Sequence, residues 1–179
     1  MSKLILYMGP MYSGKTSKLI ETYNQLTYDK HNVFVIKNKL DNRNNNTNNI
    51  SSHNNLMLKA DYIYDNDTDT EFDFVELKND YDYIIIDEGQ FYKGLKDLVI
   101  KLLDIGFIII IGGLDGDYKQ DKFGEMLDLI PIADQYYKLH GICTLCTNPA
   151  SFTKRIVDND TQVLVGGAES YIPVCRPHL

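Results

Sequence analysis

The sequence predicts an α/β domain, a parallel sheet flanked by helices, followed by a small β lobe at the C-terminal end. Three observations carry that expectation. Short continuous apolar runs alternate with amphipathic stretches through the first 140 residues, the pattern of parallel strands covered on both faces. A glycine-bounded loop joins the first apolar run to the first amphipathic stretch. All three cysteines, Cys143, Cys146 and Cys175, fall where that alternation has stopped. At 179 residues with 44% hydrophobic and 24% charged, the chain has the length of one domain with a small appendage. The boundary is placed near residue 140, giving units 1–140 and 141–179.

Residues 3–8 form a short apolar run ended by Gly9-Pro10, which reads as a buried strand. Leu19, Ile20, Tyr23 and Leu26 then recur at helical spacing over 15–28. Val33-Phe-Val-Ile36 is a second strand. Residues 42–55 hold eight asparagines in fourteen positions and almost nothing to bury. They read as a mobile loop that cannot offset the entropy of ordering, or as a loop tolerant of insertions. Residues 83–87 are a third strand, and Leu95, Leu98, Val99, Leu102 and Leu103 stripe a helix after it. Phe107-Ile-Ile-Ile-Ile111 is a fourth strand closed by Gly112-Gly113, and a shorter helix over 125–130 stops near Pro131. After Tyr136 the rhythm ends, with β-like pieces at 152–157 and 163–165 between paired cysteines and glycines. There is no internal repeat.

Lys plus Arg number 18 against 25 for Asp plus Glu, a formal charge of −7. A broad basic face for nucleic acid is disfavoured at that balance. No apolar run approaches the roughly 20 residues that span a bilayer, and residues 1–8 are too short for a secretory leader. The expectation is a soluble cytoplasmic protein without membrane or nucleic-acid partners. An odd cysteine count suits a metal site better than a disulfide framework.

Gly9-Pro-Met-Tyr-Ser-Gly14-Lys15-Thr16 fits G-x-x-x-x-G-K-[ST] between a predicted strand and a predicted helix. In such a P-loop the glycines let the backbone of Pro10, Met11, Tyr12 and Ser13 curl, so that successive N–H groups, of which proline supplies none, face phosphate oxygens, and the helix N-terminus adds its positive end. Lys15 reaches the β- and γ-phosphates, and the Thr16 hydroxyl binds Mg²⁺. The bland reading of the same residues is a glycine-rich turn with a solvated lysine.

Ile84-Ile-Ile-Asp87-Glu88 is the second motif. Asp87, ending a buried strand, suits the Mg²⁺ shell. Glu88 either orients a water, takes a proton from an alcohol, or merely caps the turn at Gly89. Cys143-Thr-Leu-Cys146 and Cys175-Arg-Pro-His178 are the third, separated by 28 residues. Three thiolates and an imidazole make a closed tetrahedral set for structural Zn²⁺; the alternative is unrelated thiols near an exposed histidine. His31, His53 and His140 stand alone as surface or loop residues. Asp41-Asn-Arg43 follows the second strand, where Arg43 can reach phosphate or sit in a solvated pair. Tyr118 and Phe123 follow the fourth strand, at the ligand crevice of open α/β sheets, and either stack on a flat ring or fill core. Gly166-Gly167 is a plain turn or a close approach to ligand.

With Leu114-Asp-Gly-Asp-Tyr118, Thr153-Lys-Arg155 and Val165-Gly-Gly-Ala168 added in order, the motifs resemble the type II thymidine kinases, the zinc-containing cytosolic class, over nearly the whole chain. That resemblance implies a P-loop domain with a zinc lobe carrying a lasso loop, and transfer of the γ-phosphoryl of MgATP to the 5′-hydroxyl of thymidine. It implies Glu88 as general base, Lys15 holding phosphate charge, and ATP contacts from residues 9–16, Asp41, Arg43, Asp87 and Gln90. It places Gln162, Val163, Leu164, Val165 and Gly166 over the base, reading it through backbone, with Tyr171 beside them. Met11, Phe91, Leu114, Tyr118 and Phe123 would line the nucleoside pocket. Homotetramers inhibited by thymidine triphosphate are usual in the family. His178 stands where animal members carry cysteine, and Tyr12, Tyr92 and Tyr118 where phenylalanine is common. A P-loop ATPase with a zinc ribbon acting on nucleic acid is the alternative reading, and a non-catalytic nucleotide-binding module the third.

Overall fold

The structure is a computed structural model that describes residues 1–41, 48–52, 56–67 and 72–179. In chain order its elements begin β1 (Lys3–Met8), α1 (Lys15–Tyr28), β2 (Val33–Asn38), β3 (Asn49–Ser51), β4 (Met57–Lys59) and β5 (Tyr62–Tyr64). They continue with α2 (Phe74–Leu77), β6 (Tyr83–Ile86), α3 (Leu95–Ile105), β7 (Ile108–Gly113) and β8 (Gln135–Lys138). Six strands form one sheet in the order β5-β2-β6-β7-β1-β8, and every neighbouring pair is parallel.

The apolar runs form strands because β-branched side chains pack well on a pleat buried on both sides. Alternation then sorts them. Val33, Val35, Ile85 and Ile110 meet Leu19 and Ile20 of α1 on one face, while Phe34, Ile36, Ile84, Ile86, Ile109 and Ile111 meet Leu95, Val99 and Leu102 of α3 on the other. Helix α3 ends at Gly106, whose left-handed φ of 104° and bonds to the Leu102 and Leu103 carbonyls close the last turn.

Four expectations need correction. The asparagine-rich stretch is not all loop: β3 pairs antiparallel with β4, and Ile50 is 0% exposed beside Leu58 on the α1 face. A single isoleucine with a cross-strand partner anchors a segment whose composition looked unfoldable; 42–47 and 53–55 lie outside the described residues. The sheet has two further strands, β5 and β8, at its edges. β8 continues the sheet past Tyr136, with all four of its residues exposed, so no apolar run announced it. The helix over 125–130 is a 3-10 helix, Met126–Ile132, which runs through Pro131 because it does not need the α-helical ladder that proline breaks.

The fourth correction concerns the end of the chain. There β9 (Gly141–Ile142) pairs antiparallel with β10 (Pro149–Ala150), and β11 (Phe152–Arg155) with β12 (Tyr171–Val174). A 3-10 turn, Arg176–His178, follows. The first β-like piece stops at Arg155, and 163–165 is not a strand. Among the described residues no helix is long and apolar enough to cross a membrane.

Candidate active site and metal centre

The loop between β1 and α1 takes a conformation that the sequence requires. Gly9 has φ 151°, and a Cβ there would stand 2.4 Å from the Leu139 carbonyl oxygen, so no side chain fits. Gly14, at φ 82°, turns the chain into α1. Buried Lys15 folds back into the loop, donating to the Pro10 carbonyl at 2.6 Å and to Ser13 Oγ at 3.5 Å. Its ammonium is thus held over the curled backbone by contacts that a phosphate oxygen can replace. The Met11 N–H is turned the other way, donating to Thr153 Oγ1 of the C-terminal lobe at 2.9 Å.

Parallel strands end at one edge of the sheet, and β6 delivers Asp87 and Glu88 there. Asp87 accepts from the Thr16 hydroxyl, 3.1 Å from Oδ2 and 3.4 Å from Oδ1. Neighbouring oxygens around an octahedral Mg²⁺ stand about 2.9 Å apart, so this donor pair fits two positions of one hard cation's shell. Glu88 is buried in the left-handed region (φ 53°, ψ 48°). A non-glycine residue held there signals local strain of the kind found at functional sites. It stands at the cap of the 3-10 turn Gly89–Phe91, yet its side chain makes no capping bond. Instead it accepts a hydrogen bond from the Gln90 amide, and Gln90 Oε1 accepts from the Leu114 N–H at 2.9 Å. Gln90 therefore ties the β6 end to the β7 end.

A cavity of about 540 Å³, counting its open mouth, lies beside this edge. One wall is Met11, Glu88, Gln90, Phe91 and Leu114; the other is Gln162, Val163, Leu164, Val165 and Gly166, with Tyr118, Phe123 and Tyr171 between them. Phe91 and Phe123 meet edge to face at 5.8 Å. The lining, mostly apolar with a few convergent polar groups, is that of a site for a small organic ligand. Asp41 reaches this cavity with Leu40, its carboxylate 3.6 Å from buried Lys37 Nζ. The Tyr171 hydroxyl donates to the Leu164 carbonyl at 2.8 Å. Gln162 crosses to Asp117 Oδ2 at 2.8 Å and to the Lys122 carbonyl at 3.2 Å.

The sulfurs of Cys143, Cys146 and Cys175 and a ring nitrogen of His178 all lie within 4.8 Å of one another. Cys146 Sγ is 3.4 Å from Cys175 Sγ, and His178 Nδ1 is 3.3 Å from Cys175 Sγ and 3.6 Å from Cys143 Sγ. Ligand atoms around tetrahedral zinc are separated by about 3.5–3.8 Å, so the set fits such an ion. Burial opposes ionisation of Cys143, but N–H donors from Cys175 and Leu145 and the neighbouring thiols outweigh it and lower its pKa to about 6. Burial and those same thiols push Cys175 up to about 11. A cation held among these thiols would favour their ionised forms. The first two ligands sit in the β9–β10 turn, and the other two bracket the last 3-10 turn.

The structure thus gathers residues 9–16 with Asp87 at the loop, and Glu88, Gln90, Asp41 and the expected lining residues at the cavity. Gln90 and Asp41, expected against ATP, lie in the cavity wall. Arg43 and His53 lie outside the described residues, while His140 is at the surface, Nδ1 3.1 Å from Ser151 Oγ. Leu40, Gly116, Asp117 and Thr153 line the cavity without having been singled out as site residues. Thr153 and Asp117 belong to the Thr153-Lys-Arg155 and Leu114-Asp-Gly-Asp-Tyr118 motifs, but only folding brings them to the cavity.

The family described as Thymidine kinase matches residues 2–179. A thymidine kinase of Choristoneura fumiferana entomopoxvirus is 35% identical over 171 residues, 94% of this chain and 91% of that protein. One from Oryza sativa subsp. japonica is 37% identical over 173 residues, 96% of this chain and 64% of that protein. One from Bacteroides thetaiotaomicron is 36% identical over 169 residues, covering 94% and 82%.

Proposed function

The chain belongs to the thymidine kinase family, and from that premise we propose that it transfers the γ-phosphoryl group of MgATP to the 5′-hydroxyl of thymidine or deoxyuridine. One observation supports this above the rest. Glu88 stands in the wall of the apolar cavity while its chain neighbour Asp87 touches Thr16 of the phosphate loop. A carboxylate between a phosphate cradle and an apolar cavity is placed to serve an alcohol held in that cavity.

In the proposed reaction Lys15 and the loop amides bind the β- and γ-phosphates, with the N-terminus of α1 adding its dipole. Thr16 and Asp87 hold Mg²⁺, which when bound screens the charge of the triphosphate. Glu88 takes the 5′-hydroxyl proton as O5′ bonds to the γ-phosphorus, and the bond from that phosphorus to the β,γ-bridging oxygen breaks to release ADP. Gln90 fixes the plane of the Glu88 carboxylate. Residues 162–166 cover the base and keep out water that would otherwise take the phosphoryl group. Cys143, Cys146, Cys175 and His178 hold structural Zn²⁺, a closed set with no position for substrate.

The same proposal divides the chain at about residue 140 into a nucleotide-binding unit and a zinc lobe, places it in the cytoplasm where thiols stay reduced, and gives it a homotetrameric state with thymidine triphosphate as inhibitor. The test is a nucleoside panel with γ-labelled ATP, following label into each 5′-monophosphate. Label should pass to thymidine and deoxyuridine. Release of label only as inorganic phosphate, stimulated by DNA or RNA, would overturn the proposal in favour of a nucleic-acid-dependent ATPase.

A further inference from the structure

Residues 156–170 form the outer wall of the cavity, yet apolar burial does little to hold them. Ile156, Val157, Val163 and Val165 are 39–50% exposed, and no strand passes through the segment. Polar contacts hold it instead, and a guanidinium supplies more of them than any other one side chain. Arg155, the last residue of β11, donates from one terminal nitrogen to the carbonyls of Asn159 (2.6 Å) and Thr161 (2.5 Å). From the other it donates to the Gln162 carbonyl (3.1 Å) and the Tyr171 hydroxyl (2.7 Å). The same plane lies over the Tyr118 ring, its carbon 3.7 Å from the centroid, and Tyr118 belongs to the loop after β7.

We propose that Arg155 is the positioning residue that closes this segment over the nucleoside, gathering its backbone carbonyls on one face of the cavity mouth and bracing them against Tyr118. The inference rests on the nucleoside kinase reading above. Carbonyls that converge on one point need a planar, multiply donating cation; lysine, a point charge with three donors, cannot serve four acceptors and a ring face at once. The Tyr171 hydroxyl relays the hold, since it accepts from Arg155 and donates to the Leu164 carbonyl. The guanidinium also presents its charge to the tyrosine π face, where a desolvated cation gains most. Arg155 is outside the cavity lining, so it acts through the segment rather than on the reacting atoms.

The test compares wild type with Arg155→Ala and Arg155→Lys. In Arg155→Ala the thymidine KM should rise at least about 10-fold while the ATP KM stays within about twofold. Cleavage by subtilisin within 156–170 should accelerate, and bound zinc per chain should not change. Arg155→Lys should fall between, restoring part of the thymidine KM, and it carries the test should the alanine variant fail to fold. Thymidine KM and cleavage rate both unchanged in a folded variant would overturn the inference, as would equal losses for ATP and thymidine. A wild type that phosphorylates no nucleoside would sink the kinase reading instead, and the cleavage comparison would still decide whether Arg155 closes the segment.

Discussion

The two walls of the cavity are built by opposite means. The wall bearing Glu88, Gln90 and Leu114 stands on the ends of β6 and β7, strands whose apolar side chains are buried on both faces. The wall of residues 162–166 has exposed valines and is held by hydrogen bonds to Arg155, Asp117 and Tyr171. Apolar burial holds one wall wherever the ligand is; polar contacts hold the other and can be remade. That division suits phosphoryl transfer, which needs fixed geometry at the acceptor hydroxyl and an entrance that opens for each turnover.

The comparison breaks most severely at the metal cluster. Cys175→Ser removes one of four ligands from a lobe with little apolar core, its buried cluster being Cys143, Ala150, Val174 and Cys175. Structural zinc typically supplies about 10 kcal/mol or more of folding free energy to so small a unit. Thymidine phosphorylation should fall by more than about 100-fold, and zinc per chain should drop in a metal assay. Binding of a non-hydrolysable ATP analogue should survive, because the loop of residues 9–16 hangs on the sheet. Equal loss of both ligands would show that the two walls are not independently held.

Glu88→Gln asks whether the rigid wall carries the chemistry. The amide is nearly isosteric but cannot accept the hydroxyl proton, so kcat should fall by about 10²–10⁴-fold with ATP and thymidine binding kept. Rapid-quench measurement of product formation separates this from slow release. Retained turnover would remove Glu88 from the reaction.

The sheet side carries its own test at Ile50. The side chain is wholly buried against Leu58 and the α1 face, so Ile50→Ala should cost about 2–4 kcal/mol. Denaturant unfolding measures it, and kcat per folded molecule should stay unchanged. A loss under about 1 kcal/mol would mean that the β3–β4 hairpin is peripheral to the sheet's stability.

That residue also shows what the sequence could and could not disclose. The central strands were legible because a parallel strand must be apolar on both faces, and runs such as Tyr83-Ile-Ile-Ile86 have no other stable place. The metal cluster was legible because ligand spacing within each knuckle is local. Edge strands were not: β5 and β8 are short, tyrosine-rich and partly exposed, and their pairing depends on neighbours distant in the chain. Ile50 stood among asparagines, so composition outweighed its one partner, Leu58. Val163 and Val165 looked like a strand but have no pairing strand. Arg155 was visible as part of a motif, but its acceptors are carbonyls, which every residue carries alike. Their convergence exists only after folding.

The smallest expected effect comes from a charge on the sheet side, where the contrast with Arg155 is sharpest. Lys78 donates to Asp82 at 2.6 Å across one helical turn's spacing, with the aspartate side chain 64% exposed. The hydrogen bond from Lys78, and then its charge, holds the Asp82 pKa below the ordinary 3.8. A depressed carboxylate contributes stability that is present above its unfolded pKa and lost as pH falls through the folded value. Because water and salt screen an exposed pair, Asp82→Asn should cost under about 0.5 kcal/mol at neutral pH. Paired thermal scans should show that small gap closing as pH falls below the ordinary carboxylate value of 3.8 and the wild-type carboxylate protonates. A gap above about 1 kcal/mol, or one indifferent to pH, would mean that surface charge supports the sheet side as well. Polar contacts would then not distinguish the movable wall from the fixed one.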